Sequence, residues 1–544
     1  MPNDKTTTAP DERRVGIFGW GIVAPKSPNI DAFARNLQST ESWLQAFDGF
    51  GPDNFLVGMP SFDFTAYEPW VVQRFKPNRF SQLQSKMGLP VQYVIGCFIQ
   101  ALEQNQGLEE ELRRLGTRSH IYVGTGLGDF GTQYEESLSL YRATRHWTRF
   151  WAQPDRNATR AAWDDGGRLL DASERHGAPA LEPDNIPPSP HGASYEVRDE
   201  MEDAWWGFWA QHSPELRQYL TEQKEIESVK VEGNVESGKI AAMKEKRRKM
   251  RRLQEKWGAP EPPWQSVSAN LVWNIDNIPA AQVSMLGQIT GPTVALGAAC
   301  STFGVCLKEG LDAIRRGDCT AAVIGATDPP PHPLTVSAFY SARVISADGQ
   351  LSKPLTELRG THIGGGAAVW ILGDLEHFQN LGMKPLGMEP LAVGVTSDAD
   401  HIITPSKEGP MEAMRQAFEG AGLSASDMKS WDLHATATPG DFNEVEMVRD
   451  LMPEDVLVTA RKGRFGHGMA AGGGWELTAQ YLGYESGRLA PTLLSENELN
   501  EQIAGVHEHF VYDTPRDAPQ GAVGKLSMGV GGINACVVSR PLKD

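Results

Sequence analysis

The stretch Val294-Ala295-Leu296-Gly297-Ala298-Ala299-Cys300-Ser301-Thr302-Phe303-Gly304 decides how this chain reads. An apolar run of strand character ends on a cysteine, and a helix is expected to start at once, from Thr302 to Arg316. A thiol at a strand-to-helix junction faces the free N–H groups of the first helical turn, which favour its ionised form. That effect is worth ~0.3–1 kcal/mol at an exposed helix end and up to ~2 kcal/mol when partly buried, so the thiolate should gain roughly one pKa unit. Two histidines lie far downstream in loops of small residues, Leu433-His434-Ala435-Thr436-Ala437-Thr438-Pro439 and Lys462-Gly463-Arg464-Phe465-Gly466-His467-Gly468. One cysteine and two imidazoles suggest chemistry on an acyl group.

Upstream, Val15–Val23 reads as a strand ended by Pro25, followed by a helix from about Asn29 to Asn36 on the spacing of Ile30, Phe33 and Leu37. A helix near Met87 to Gln104 and a strand at His120–Gly124 continue the alternation, which predicts α/β layering. Downstream, strands are expected at Ala321–Ala326 and Ala367–Leu372, closing a first half. A second half begins near Leu391–Val395, with a helix from Gly409 to Ala421 and a strand Trp431-Asp432-Leu433 running into His434. It closes with the hairpin signals Lys525–Met528 and Ala535–Val538. The domain reading is therefore 13–375 and 388–544, two similarly layered halves consistent with duplication.

Residues from about Tyr141 to Trp264 break this rhythm. They hold a polar, Pro-rich stretch (Pro179–Ser194), the aromatic cluster Trp205-Trp206-Gly207-Phe208-Trp209 and a basic run from Lys244 to Arg252. We read them as an insertion of two or more helices, the last from about Glu232 to Trp257. The plain reading is a solvated helix face beside an aromatic packing seam. The sharper alternative, from basic charge gathered on an acidic chain, is a docking or tunnel-covering element.

With 544 residues the chain exceeds one ordinary core, and an even 40% apolar content marks a folded enzyme. A formal net charge of −18 argues against general nucleic-acid binding. Five cysteines (Cys97, Cys300, Cys306, Cys319, Cys536) without a C-x-x-C pair point to thiols in a reducing compartment. The polar Met1–Glu12 lacks a signal-peptide core and no run of about 18 apolar residues follows, so a cytoplasmic, soluble protein without membrane contact is expected. The glycines of Gly124-Thr125-Gly126-Leu127-Gly128-Asp129-Phe130-Gly131 lack dinucleotide-loop spacing and a Walker ending. No His/Cys/Asp cluster has metal-ligand spacing, so neither a nucleotide nor a catalytic metal is expected.

Six segments in order resemble the condensing enzymes of fatty-acid and polyketide synthesis, the beta-ketoacyl-acyl-carrier-protein synthases of the elongating type. They are Val15–Pro25; Gly291-Pro292-Thr293 with Ala298-Ala299-Cys300-Ser301; Thr396-Ser397-Asp398-Ala399-Asp400-His401; His434–Thr438; Lys462–His467; and Gly529-Val530-Gly531-Gly532-Ile533-Asn534. The resemblance implies a thiolase-like fold, two fused α/β halves in five α-β-α-β-α layers, and a homodimer. It also implies acyl and malonyl thioesters carried on the phosphopantetheine arm of an acyl-carrier protein, with no cofactor bound by the chain itself.

By the same resemblance, Cys300 takes the acyl primer, and His434 and His467 donate to the malonyl thioester oxygen as it becomes an enolate, contacts worth about 3 kcal/mol by analogy with an oxyanion donor. Lys462 pairs with Glu476 and orders the histidine loop. The backbone N–H groups of Cys300 and Val530 form the oxyanion hole, and Val530 and Met528 form the acyl-pocket gate. His332, His362, His401 and His507 are left as surface or satisfied core residues. The activity implied is decarboxylative Claisen condensation; acyl transfer without elongation, a non-catalytic chain-length partner and a carrier-binding scaffold are the alternatives. Several positions depart from the family pattern. Val530 stands in place of a gating phenylalanine and Met528 in place of an aromatic residue. Gly366 replaces a glutamate, Thr356 and Gly360 replace aspartates, Ala435 and Ala437 replace glycines, and the Pro439-Gly440-Asp441 loop is one residue short.

Overall fold

The computed structural model describes residues 13–51, 54–166, 194–228, 230, 235–403, 406–505 and 509–542. In chain order the elements that matter are β1 (Val15–Val23), α1 (Ile30–Asn36), α2 (Leu89–Leu102), β2 (Ser119–Thr125), α3 (Phe130–Ala152), α4 (Tyr195–Gln211), α5 (Pro214–Glu227) and α6 (Val235–Trp257). They continue with α7 (Ile278–Gly287), β3 (Thr293–Val294), α8 (Thr302–Arg316), β4 (Ala321–Asp328), β5 (Gly366–Asp374) and β6 (Met388–Ser397). Last come α9 (Glu408–Ala421), β7 (Met428–Asp432), α10 (Gly440–Leu451), β8 (Leu457–Thr459), α11 (Met469–Glu485), β9 (Ala522–Gly529) and β10 (Ile533–Pro541).

The strands form two five-stranded sheets with the orders β1-β5-β4-β2-β3 and β6-β10-β9-β7-β8. In each, the first two pairings are antiparallel and the last two parallel. The second sheet thus repeats the first strand for strand.

Side-chain alternation explains the layering. Along β5, Ala368, Trp370 and Leu372 face the core between the sheets, while Ala367, Val369 and Ile371 face the opposite core. Strands buried on both faces read as continuous apolar runs, which is why β4 and β5 stand out in sequence. Between the sheets, Phe303 of α8 and Trp475 of α11 pack with Trp370 and Val537. Behind the first sheet, Val94 and Phe98 of α2 and Leu286 of α7 cover Val123 and Ile371. Behind the second, Met414 of α9 and Val448 of α10 cover Trp431, Leu526 and Val538. Three cores separated by two sheets give the five α-β-α-β-α layers of a thiolase-like fold.

The expected strand across Val294–Ala299 is a correction. Only Thr293–Val294 pairs with β2; beyond it Leu296 keeps one bond, accepting the Thr125 N–H at 3.2 Å, before the chain leaves the sheet. Ladder geometry is incompatible with the turn that follows, where Ala299 sits at φ 46°. β1 spans the expected Val15–Val23, and the other expected strands appear with one to three more residues at one or both ends, except that Leu433 falls just outside β7.

Residues 133–271 form a separate compact helical unit, wider than the expected 141–264, while 13–132 and 272–542 make the other unit. The helical unit has its own core of Trp147, Trp151, Trp209, Tyr219, Met250 and Leu253. Arg145–Asp203 and Arg149–Glu202 pairs join α3 to α4, and Lys246–Glu227 and Lys256–Glu222 pairs join α6 to α5. The Pro-rich 179–193, and the 232–234 start expected for the last helix, lie outside the described residues.

Candidate active site

Cys300 sits in a one-turn elbow between β3 and α8. Thr302 closes this elbow by donating its hydroxyl to Ala299 O (2.7 Å) and accepting the Ala298 N–H (2.9 Å). Ser301 staples it to the hairpin of the other half, its hydroxyl reaching Ile533 O (2.8 Å) and Ser527 O (3.1 Å). The close approach needs a glycine at 529, where a Cβ would lie 2.8 Å from Ala298 O and 3.3 Å from Cys300 N. The next residue, Val530, directs its backbone N–H to the Cys300 sulfur, and the N–H of Cys300 acts on the same atom.

The expectation of a stabilised thiolate is overturned. Cys300 is 6% exposed, in an apolar cluster with Phe47, Val57, Val336, Ile345, Ile363 and Met469. Burial outweighs the Val530 N–H and the Lys462 charge and pushes the thiol up to about 11. The resting group is therefore a protonated thiol. Cys97, Cys306, Cys319 and Cys536 are buried, and burial raises each of them.

The His434 loop leaves β7 and is held by two carboxylates from the first turns of α10. Glu444 accepts the N–H groups of His434 (2.7 Å) and Ala435 (2.8 Å), and Asp441 accepts those of Thr436 (2.8 Å) and Ala437 (3.0 Å). The other face of the His434 peptide, its carbonyl, receives the Lys462 ammonium. Lys462 also reaches Glu476 on α11 at 2.6 Å, the contact expected from sequence. Glu476 has a second partner, Lys525 of β9, at 2.9 Å, and Lys525 in turn lies 3.6 Å from Asp432, which Arg461 holds at 2.7 Å. Burial pushes the Glu476 carboxyl up, but Lys462 and Lys525 outweigh it and hold it below the usual range.

His467 precedes α11. Its N–H donates to His362 O at 2.6 Å and its carbonyl accepts the Gly364 N–H at 2.8 Å, so the backbone on both sides of the ring is fixed. His362 is a satisfied core residue: Nδ1 lies 3.1 Å from Leu56 O and Nε2 accepts the Ser352 N–H at 2.8 Å. The His434 and His467 rings stand 5.3 Å apart, nearly perpendicular at 82°. Burial first, then the Lys462 charge, drives both far below the usual imidazole range. Both rings are therefore neutral at neutral pH, each with one N–H to give and one nitrogen free to accept.

A single cavity of about 110 Å³ is lined by Cys300, His434, His467, Met528 and Val530, together with Phe339, Ile403, Thr436 and Thr438. The sequence-predicted side chains thus converge, with Lys462 and Glu476 behind the histidines rather than on the cavity wall. Lys525, Asp432, Asp441 and Glu444 were missed by sequence reasoning. Lys525 left a signal, a single cation inside the apolar strand Ala522–Gly529, whereas Asp441 in the first turn of α10 and Glu444 in its second left none. One departure is explained: Gly366 stands at φ 144° with room for no Cβ, which would come within 2.1 Å of Val23 O, so a glutamate there requires a different backbone.

Residues 230–377 match the model of the beta-ketoacyl synthase N-terminal domain and 389–496 that of its C-terminal domain. A 3-oxoacyl-acyl-carrier-protein synthase 2 of Staphylococcus aureus is 31% identical over 229 residues, covering 40% of this chain and 57% of that protein. The chain therefore spans a little over half the length of this curated relative. Among solved structures, the ishigamide ketosynthase/chain length factor superposes with a TM-score of 0.66 at 16% identity, covering 98% of this chain and 100% of that one. A type II polyketide acyl-carrier protein in complex with its ketosynthase, bound to the hexaketide, gives 0.61 at 15% identity over 98% and 100%. At these identities the two structures speak for the fold.

Proposed function

We propose that the chain catalyses decarboxylative Claisen condensation between an acyl group on Cys300 and a malonyl thioester on an acyl-carrier protein, releasing carbon dioxide and a beta-ketoacyl thioester. The observation that carries the reading is the shared cavity of Cys300, His434 and His467, with two backbone N–H groups directed at the sulfur. Because the resting thiol is protonated, attack on the primer thioester passes its proton to a neutral imidazole, and that proton leaves with the carrier thiol. The N–H groups of Cys300 and Val530 receive the negative charge on the tetrahedral oxygen. In the second step malonyl loses carbon dioxide, and its oxygen accepts the N–H groups of His434 and His467 as the enolate forms. The enolate carbon attacks the Cys300 thioester, and the sulfur leaves and recovers a proton. Lys462 and Glu476 hold His434 in place throughout.

Met528 and Val530 gate the primer, and Val530, 43% exposed, leaves a smaller gate than an aromatic residue would. Residues 13–132 and 272–542, which carry strands of both halves, form one compact unit, and the exposed two-residue edge strand β3 supports pairing with a second copy in a homodimer. For the carrier, support comes from α6, where nine Lys or Arg face three Glu in a chain of net charge −18. Lys244, Arg247, Arg251 and Arg252 are exposed on the side of α6 away from buried Met250 and Leu253. Replacing Arg247, Arg248, Arg251 and Arg252 by glutamate is expected to weaken carrier affinity; unchanged affinity removes α6 from the reading.

The deciding experiment is a mass-resolved condensation assay with a panel of acyl primers and malonyl-carrier protein, with Cys300→Ala as control. Acylation at Cys300, carbon dioxide release and a beta-ketoacyl product are expected. Acylation without carbon dioxide release would establish an acyltransferase, and no acylation by any primer would leave a carrier-binding scaffold.

A further inference from the structure

The glycine loop after β2 cradles an anion, and the anion is the chain's own. β4 ends on Asp328, fully buried. Its Oδ1 accepts the Thr125 hydroxyl (3.0 Å) and the N–H groups of Gly126 (2.9 Å) and Leu127 (2.8 Å), and its Oδ2 accepts the Ala470 N–H (2.7 Å). Successive N–H groups of a glycine-rich turn make an anion-binding concavity, and here a carboxylate fills it. Among the described residues no lysine or arginine pairs with this carboxylate. Burial without a counter-ion outweighs the donors and pushes the carboxyl up to about 6.

Each donor belongs to a segment that shapes the site. Ala470 follows His467 by three residues, with Met469 between them at φ 48°. Gly126 lies where the reactive loops meet, since a Cβ on it would stand 3.0 Å from Asp328 Oδ2, 3.4 Å from the Ala470 methyl and 3.6 Å from Ala299 Cα. Ala299, at φ 46°, immediately precedes Cys300. Two non-glycine residues in the left-handed region, one on each reactive loop, therefore flank a single carboxylate, and such strain persists only where the surroundings over-determine it.

We propose that Asp328 is a positioning residue: its carboxylate fixes the His467 loop against the Cys300 elbow, so that acylation and decarboxylation share one internal anchor. The proposal rests on the condensation reading. The Asp328 charge also acts on Cys300 in the direction that keeps the thiol protonated, with Lys462 acting the opposite way. His467, the titratable group of the loop that Asp328 holds, feels the Lys462 and Lys525 charges, and His434, Asp441 and Glu444 line the same cavity.

The test uses the purified full chain and two variants. Asp328→Asn removes the charge and one acceptor while keeping the shape. Two readouts are compared: the pH midpoint of Cys300 alkylation by iodoacetamide, followed by intact mass against a Cys300→Ala control, and carbon dioxide release from malonyl-carrier protein. We expect the midpoint to fall by about one pH unit and carbon dioxide release to drop roughly 100-fold. Asp328→Glu keeps the charge but displaces both acceptor oxygens, so it should leave the midpoint near wild type and still lower decarboxylation. A folded Asp328→Asn protein with wild-type midpoint and decarboxylation overturns the proposal. If Asp328→Asn does not fold, wild-type decarboxylation in folded Asp328→Glu overturns it. Alkylation reports on the thiol whether or not the chain condenses, so wild-type protein that alkylates at Cys300 but never releases carbon dioxide counts against the functional reading instead.

Discussion

The two halves of the α/β body end equivalent strands on different chemistry. After its third strand, the first half turns into the Cys300 elbow and the second into the Lys462–His467 segment. After its second strand, the first half makes a glycine loop closed around Asp328, and the second makes the His434 loop closed around Glu444 and Asp441. The fourth strand ends on a buried acid in one half and on Gly529-Val530 in the other. The first half holds the Cys300 thiol in apolar surroundings, and the second sets its imidazoles beside the charges of Lys462 and Lys525. One topology used twice thus carries two loads, which is what locating function in grafted sites rather than in the fold means.

The sharpest way to break this comparison is to remove one load at a time. Cys300→Ala is expected to abolish acylation at the sulfur and leave malonyl decarboxylation measurable. His467→Ala is expected to leave Cys300 acylation measurable and lower decarboxylation by about 10²–10³-fold, the cost of losing one oxyanion donor. Intact-mass acylation and carbon dioxide release, measured on both variants, decide it. Equal loss of both activities in both variants would show that the halves do not divide the reaction.

The second effect concerns the charges behind the histidines. Glu476 is the only carboxylate within 4.0 Å of Lys462 among the described residues, and it also serves Lys525. Removing one partner of a buried pair costs about 3–5 kcal/mol because the other charge is left uncompensated. Glu476→Gln should therefore destabilise the chain by about that much, while Lys462→Ala costs less because Lys525 still neutralises Glu476. Lys462→Ala should instead depress decarboxylation, since the His434 carbonyl loses its donor. Denaturant unfolding of both variants checks the order, and a larger loss for Lys462→Ala would contradict it.

What the sequence revealed follows from whether a signal is local. The strands β1, β4 and β5 were legible because burial on both faces leaves continuous apolar runs. Cys300, His434 and His467 were legible because each sits in a loop of small residues that a resemblance could align. Lys525 and Asp432 were not, since they meet Glu476 and Arg461 only after separate strands and a helix come together. The Cys300 thiol was read wrongly for a related reason. The helix end that favours the thiolate is local, whereas the apolar cluster that disfavours it is assembled from residues between Phe47 and Met469.

The carboxylates beneath the His434 loop predict a pH dependence. Burial raises the Glu444 carboxyl from 4.5 to about 7, so the folded chain binds this proton more tightly than the unfolded one. Its contribution to stability is therefore fully present below about pH 4.5 and is lost as pH rises through about 7. The stability difference between wild type and Glu444→Gln should fall by about 3 kcal/mol across that window. A flat difference curve in urea unfolding at several pH values would mean that the His434 loop is held without a buried proton.

The smallest expected effect tests the position where the halves differ at the end of the fourth strand. Asp328 is sealed inside, whereas Val530 stands at the cavity rim, where added bulk meets solvent on one side and the cavity on the other. Val530→Phe should change stability by less than about 0.5 kcal/mol, as expected for a surface position. It narrows the gate beside Met528, and a hydrophobic pocket discriminates by about tenfold or more for each methylene it excludes. Acylation by long primers should therefore slow by about that factor relative to acetyl, with the shortest primers least affected. The ratio of rates across a primer series, read by intact mass at Cys300, is the measurement. Uniform slowing at every length would mean that residue 530 acts through its N–H on the sulfur alone, and that its side chain selects nothing.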